Sequence, residues 1–135
     1  MMKLDVPYYS QKIDVKDPEW KNRACGIVCL KMVLDFYGKD TLTPDELIKV
    51  GVEIGSYGPS GWIHDGLIDV AEKFGLQMRR KEFRSDDIKI QKKLLSDGIN
   101  EISMSLEDGR PVLVSVVKNF KEVDKFHIVV LVGYE

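Results

Sequence analysis

The segment that most constrains the fold is residues 25–37, where apolar side chains recur with the period of an α-helix. The apolar positions are Ile27, Val28, Leu30, Val33, Leu34 and Tyr37. Gly38 follows directly, and a glycine just past the last helical residue commonly ends a helix. The pattern therefore predicts an amphipathic helix that packs one face against the rest of the domain.

A cysteine followed by a glycine opens this predicted helix. The first turn of a helix presents unpaired backbone N–H groups and the positive end of the helix dipole, so it favours a thiolate at Cys25. Gly26 adds no side-chain bulk next to that sulfur, which would let a substrate backbone approach. Far downstream, His127 opens a strand-like apolar run. The two positions together indicate a thiol–imidazole nucleophilic pair.

The order of the other elements predicts an α+β fold, with N-terminal helices packed on a C-terminal antiparallel sheet. Thr43, Pro44 and Glu46 form a helix-start signature, with Thr43 as the N-cap. Further helices are expected at residues 63–74, 88–95 and 100–107. Strands are expected at residues 76–83, 110–117 and 126–134, and residues 118–125 are expected to connect the last two as a polar hairpin.

Length and charge limit the class of protein. The chain has 135 residues, enough for one domain with a core of its own, and we predict a single domain over residues 1–135. A net charge of −2 argues against nucleic acid as the main partner. No apolar run approaches the roughly 18 residues that span a bilayer, so no membrane insertion is expected. The N-terminus lacks a secretory signal, which favours a cytoplasmic location.

The two cysteines and two histidines do not suggest a metal site, and no cofactor is expected. Cys25 and Cys29 are four positions apart on one helical face, where a disulfide would strain the helix. We predict that Cys29 is a core residue. His64 and His127 stand in unrelated contexts without the spacing of metal ligands, and His64 is expected at a helix start or on the surface.

Several segments, taken in order, resemble the papain-like cysteine peptidases of the bacteriocin-processing, double-glycine-leader type and their wider relatives. The segments are Val6-Pro7-Tyr8-Tyr9-Ser10-Gln11, Ala24-Cys25-Gly26 with the following helix to Gly38, Gly61-Trp62, Phe74-Gly75-Leu76, Gly109-Arg110-Pro111-Val112, and His127-Ile128-Val129-Val130-Leu131-Val132-Gly133-Tyr134. The resemblance covers nearly the whole chain, and it implies a papain-like fold and cleavage of peptide or protein substrates.

The resemblance also implies a role for individual residues. Cys25 corresponds to the nucleophile, His127 to the general base and Gln11 to the side chain that helps to form the oxyanion hole. Gly26 and Trp62 are expected to line the substrate site, although Trp62 could equally serve in the core or a lid. The family's third catalytic residue, an Asp or Asn, lies on a strand after the histidine strand, which would fall beyond Glu135. Either the chain is part of a larger protein that supplies this residue, or the domain lacks it.

Two other functions remain open at this stage. The processing peptidases commonly have an aspartate before the nucleophile, whereas this chain has Ala24. This departure fits a catalytically degenerate domain that binds a peptide or protein partner. A different thiol-dependent acyl transfer, such as transglutamination or hydrolysis of a non-protein amide, would use the same pair of residues, since the cleft rather than the pair selects the substrate.

Overall fold

Four helices and three short antiparallel strand pairs make up the part of the chain that the computed structural model describes, residues 2–117 and 126–135. The helices are α1 (Cys25–Phe36), α2 (Pro44–Glu53), α3 (His64–Lys73) and α4 (Ile88–Glu107). The strands are β1 (Met2–Lys3), β2 (Tyr57–Gly58), β3 (Gly61–Trp62), β4 (Val112–Val117), β5 (Phe126–Leu131) and β6 (Gly133–Tyr134). This confirms the predicted α+β class.

Helix α1 lies at the centre of the core, and α2, α3 and β5 pack against it. The predicted apolar positions from Ile27 to Leu34 are buried, but Gly26, Cys29 and Lys31 are buried as well, so α1 is enclosed on nearly all sides and not on one face. Burying side chains of this size contributes about 1.5–3 kcal/mol each to the free energy of folding. The fully buried side chains of the core include Ile27, Leu30, Leu34, Leu47 and Val70.

The helix-boundary signals in the sequence act as predicted. The Glu46 backbone N–H donates to the Thr43 hydroxyl at 3.2 Å, and the Glu46 carboxylate accepts from the Thr43 backbone N–H at 3.1 Å. These bonds complete a capping box at the start of α2 and lower the pKa of Glu46. At the end of α1, Gly38 has a φ of 64°, a conformation that glycine adopts without steric strain.

In the β4–β5 pair, His127 lies near the start of β5 and is paired with the end of β4. Ser115 lies opposite Ile128, and Val116 lies opposite His127. The β1–β6 pair joins the two ends of the described chain, with Met2 opposite Tyr134. The predicted hairpin connection at residues 118–125 lies outside the described residues.

The predicted strand at residues 76–83 is wrong, because this segment has no regular secondary structure. Two of its basic side chains form ion pairs with helices. Arg80 Nε lies 3.1 Å from Asp65 Oδ1 of α3, and Lys81 Nζ lies 2.6 Å from Glu101 Oε1 of α4.

The two helices predicted at residues 88–95 and 100–107 are a single helix, α4. Gly98, which lies between the two predicted helices, is buried inside it. A Cβ at this position would lie only 3.0 Å from Phe83 Cγ, so the glycine allows the preceding segment to approach the helix closely. None of the described helices, α4 included, combines the length and apolar character needed to cross a bilayer.

Candidate active site

Cys25 is the first residue of α1 and is partly buried. The Val28 amide donates the first helical hydrogen bond, to the Ala24 carbonyl oxygen at 2.9 Å, so the amides of Cys25, Gly26 and Ile27 have no acceptor within the helix. Within the described chain, the first turn of α1 has no acidic side chain and Ala24 provides no side-chain cap. No carboxylate of this turn therefore offsets the positive end of the helix dipole near the sulfur.

At Gly26, α1 lies in close contact with Trp62 of β3 and Ile128 of β5. A Cβ at this position would lie 3.0 Å from Trp62 Cβ and 3.2 Å from Ile128 Cδ1, both tighter than ordinary van der Waals contact. The space left by the missing side chain is therefore filled by Trp62 and Ile128. The glycine brings the first turn of α1, which begins with Cys25, against the strand that carries His127.

A hydrogen bond one turn further along α1 holds the same two elements together. The Cys29 thiol donates to the Ile128 carbonyl oxygen, with Sγ and O 3.2 Å apart. Ile128 follows His127 directly in β5, and His127 is partly buried. Residues next to both members of the predicted pair, Cys25 and His127, are thus in contact with each other.

Cys29 is buried, as predicted from the sequence. Burial, with a smaller contribution from the Cys25 sulfur, raises the pKa of the Cys29 thiol to about 12. A thiol that remains neutral in this way is a poor nucleophile. The structure therefore assigns Cys29 a packing role and leaves Cys25 as the more accessible of the two sulfurs.

We expect only one of the two thiols to be alkylated in the folded protein. Iodoacetamide should modify Cys25 in native buffer, whereas Cys29 should react only after unfolding in guanidinium, because its sulfur is buried and its thiol is neutral. Mass spectrometry of the intact protein, followed by peptide mapping, counts and locates the adducts. Equal rates at the two cysteines in native buffer would contradict the buried position of Cys29.

Trp62 belongs to an aromatic cluster beside the start of α1. Its indole Nε1–H donates to the Arg23 carbonyl oxygen at 2.7 Å, just before Cys25 in the chain. Its ring centroid lies 5.9 Å from that of Trp20 and 5.1 Å from that of Tyr57. The Arg23 guanidinium lies over Trp20 at 4.7 Å, which adds a cation–π contact. This cluster forms one side of the surface around the first turn of α1.

Gln11 lies in a turn and is partly buried. The turn is held by Asp14, whose carboxylate accepts from the Ser10 amide at 2.7 Å and whose own amide donates to the Ser10 carbonyl oxygen at 2.8 Å. Among the described residues, the buried Gln11 Oε1 has no hydrogen-bond partner. An unpaired buried polar atom costs about 1–3 kcal/mol, so Gln11 is not an ordinary solvated glutamine.

His64 has a specific partner that the sequence did not reveal. Its Nε2 lies 3.0 Å from the Ser115 hydroxyl oxygen, although the side chain is exposed at the start of α3, as expected. Ser115 is opposite Ile128, so these two side chains share one face of the β4–β5 pair, while His127 projects from the other face. The two histidines are therefore on different faces of this sheet, and the face that Ile128 turns toward Gly26 of α1 is the one that His64 contacts through Ser115. Neither belongs to a cluster of potential metal ligands in residues 2–117 and 126–135.

Comparison with known proteins identifies the family. A profile described as the Peptidase_C39 like family matches residues 3–135, nearly the whole chain. No curated protein and no solved structure gives a significant match. The profile match spans every segment that resembled the papain-like processing peptidases, from the turn that contains Gln11 to the strand that contains His127. The chain therefore belongs to the Peptidase_C39 like family.

Proposed function

We propose that this protein is a cysteine peptidase with a papain-like fold, in which Cys25 is the nucleophile and His127 the general base. The family supports hydrolysis of peptide bonds as the class of reaction. The observation that carries the residue assignment is the contact between α1 and β5. It brings the His127 backbone to the start of α1, although Ile128 rather than His127 turns its side chain toward that helix. Cys25 starts a helix without an acidic first turn, and the next turn of that helix hydrogen-bonds to β5 beside His127.

In the proposed mechanism, the Cys25 thiol transfers its proton to the His127 imidazole and attacks the carbonyl carbon of a peptide bond. The resulting oxyanion accepts hydrogen bonds from the Gln11 side-chain amide and the Cys25 backbone N–H. The C–N bond breaks as the imidazolium protonates the leaving amine. Water, deprotonated by His127, then hydrolyses the thioester and restores the thiol. Since this route needs only protein groups and water, it includes no metal or cofactor.

We assign the substrate site to the surface around the first turn of α1, beside Trp62. Gly26, which the sequence suggested would line this site, is instead buried against Trp62 and Ile128. A substrate segment there would lie next to the aromatic cluster of Trp20, Tyr57 and Trp62, which offers an apolar surface. Within this proposal, the finer possibility is removal of a leader peptide after a Gly-Gly pair by a domain of a larger protein. A peptide with a central Gly-Gly pair is therefore a suitable first substrate.

The alkylation rate of Cys25 tests the proposed pair before any substrate is known. If the proposed pair forms, the His127 imidazole accepts the thiol proton, and iodoacetamide should modify Cys25 rapidly at neutral pH in the wild type. The substitution His127→Ala should slow the modification by about tenfold or more. Mass spectrometry of quenched time points gives both rates.

The second histidine provides a matched control for this experiment. His64→Ala removes the imidazole that contacts Ser115, on the face of the β4–β5 pair that Ile128 turns toward α1. With His127 as the base, this variant should leave the rate at Cys25 nearly unchanged, whereas a slower rate in His64→Ala alone would assign the base to His64. If His127→Ala reacts as fast as the wild type, Cys25 has no imidazole base and the assignment of His127 fails. A slower rate in both histidine variants would point to a general loss of structure, which circular dichroism detects.

A further inference from the structure

Lys21 binds the backbone of the turn that contains Gln11. Its Nζ donates to the Lys12 carbonyl oxygen at 2.8 Å and to the Val15 carbonyl oxygen at 2.7 Å. Lys21 is partly buried, whereas Lys12 and Lys16 are exposed, and Val15 is fully buried. Hydrogen bonds from an ammonium group are shorter and stronger than those between neutral groups. These two contacts therefore hold the chain on the C-terminal side of Gln11.

The chain on the N-terminal side of Gln11 is held within the turn itself. The Asp14 carboxylate accepts from the Ser10 amide, and the Asp14 amide donates to the Ser10 carbonyl oxygen. Both neighbours of Gln11 are thus fixed, Ser10 by Asp14 and Lys12 by Lys21. Since the Gln11 Oε1 has no hydrogen-bond partner among the described residues, the position of this side chain depends on the backbone around it.

Lys21 itself lies in the segment that leads into α1. Residues 18–23 form turns that end two positions before Cys25. The end of this segment is anchored beside the aromatic cluster, because the Arg23 carbonyl oxygen accepts from the Trp62 indole at 2.7 Å. The ammonium group of Lys21 therefore joins the Gln11 turn to a segment whose far end is fixed next to the candidate nucleophile.

We propose that Lys21 is a positioning residue, which holds the Gln11 turn in place relative to the start of α1. This inference rests on the proposed role of Gln11 in the oxyanion hole. An oxyanion hole works because its donors are in place before the reaction, so the Gln11 side chain and the Cys25 backbone N–H must keep a fixed arrangement. The Lys12 ammonium also donates to Asn22 and joins the same two segments, but both of these side chains are exposed, where water competes for the bond.

Hydrogen exchange followed by mass spectrometry tests the contact without any substrate. Lys21→Met removes the ammonium group and keeps a side chain of similar length. The amides of Ile13 and Asp14, which donate to the Ser10 carbonyl oxygen, should then exchange at least about tenfold faster, while peptides from α1 exchange as in the wild type. The matched control is Lys16→Met, since the Lys16 Nζ donates to the Ile13 carbonyl oxygen at 2.9 Å within the same turn. It should change the exchange by less than about threefold.

The kinetics of hydrolysis test the positioning role on a peptide that the wild type cleaves. Lys21→Met should lower kcat by about tenfold and leave KM nearly unchanged, because the oxyanion forms only on the way through the transition state. Alkylation of Cys25 by iodoacetamide forms no oxyanion, so its rate should stay at the wild-type value. In a Gln11→Ala background, the same substitution should cause no further loss of kcat, because both changes act on one group.

The possible outcomes separate this inference from the proposed function. Unchanged exchange of the turn in Lys21→Met would overturn the contact. A wild-type kcat, slower alkylation of Cys25, or a further loss in the Gln11→Ala background would each overturn the action of Lys21 through Gln11. A wild type that cleaves no peptide would overturn the proposed function and with it any effect of Lys21 on catalysis, whereas hydrogen exchange would still decide whether Lys21 holds the turn.

Discussion

Replacing Cys25 with alanine is expected to abolish hydrolysis of an internally quenched peptide library centred on a Gly-Gly pair. The loss should be at least about a thousandfold, since removing the nucleophile of a covalent mechanism leaves only binding and the oxyanion hole. Cleavage is followed by fluorescence, and the products are located by mass spectrometry. The comparison assumes that the wild type cleaves the library, which is the first outcome to establish.

Cys29→Ala is the matched control, because it makes the same substitution one turn further along α1. Cys29 is buried and its thiol is neutral, so this variant should retain most of the hydrolysis.

A second outcome is that the wild type binds library peptides without cleaving them. That result would favour the catalytically degenerate binding domain. Cleavage that persists in Cys25→Ala would exclude Cys25 as the nucleophile.

The helical part of the fold was predictable because its signals are local. The capping box of Thr43 and Glu46, the glycine after α1 and the apolar period of residues 25–37 each act within a few positions of the chain. The wrong predictions concern residues whose state depends on distant contacts. The single helix α4 continues through Gly98, where Phe83 packs against it, and residues 76–83, predicted as a strand, form ion pairs with α3 and α4 without regular secondary structure.

In the candidate site, too, local features were predictable from the sequence and distant contacts were not. The sequence predicts that Cys25 opens a helix and that His127 lies in a strand, and both positions are confirmed. It could not predict the contacts that join these elements, namely the hydrogen bond from Cys29 to Ile128 and the close fit of Trp62 against Gly26. These contacts link residues far apart in the chain. The catalytic roles of Cys25, His127 and Gln11 remain predictions that the experiments above address.

A buried charge network on α1 gives the second large expected effect. Lys31 is 3% exposed, and its Nζ lies 2.8 Å from Asp35 Oδ1 and 2.7 Å from Asp40 Oδ1. Asp40 Oδ1 also accepts from the Leu42 amide at 2.8 Å, and Asp35 Oδ2 accepts from the Tyr9 hydroxyl at 2.5 Å. One ammonium group therefore bridges two carboxylates, which link the N-terminal segment, α1 and the approach to α2.

Lys31→Ala is expected to lower the free energy of unfolding by about 3–5 kcal/mol, because it leaves the two carboxylates without their cation in a buried site. Urea denaturation followed by circular dichroism measures the change. The matched control is Lys39→Ala, since Lys39 is exposed just beyond the end of the same helix, and its loss should change stability by no more than about 0.5 kcal/mol. A loss below about 1 kcal/mol in Lys31→Ala would mean that the network is solvated in the folded protein.

The same network predicts how stability depends on pH. Burial opposes the charge of Lys31, but the hydrogen bonds to Asp35 and Asp40 outweigh it and raise the pKa of Lys31. The hydrogen bond to Asp35 likewise raises the pKa of Tyr9. Both groups hold their protons more tightly when folded, so the stabilisation is complete below about pH 10, where the unfolded groups titrate, and is lost as the pH rises through the folded pKa values. Lys31→Ala should therefore lose less stability than the wild type on passing into this alkaline range. An equal loss in both proteins would place the alkaline sensitivity outside this network.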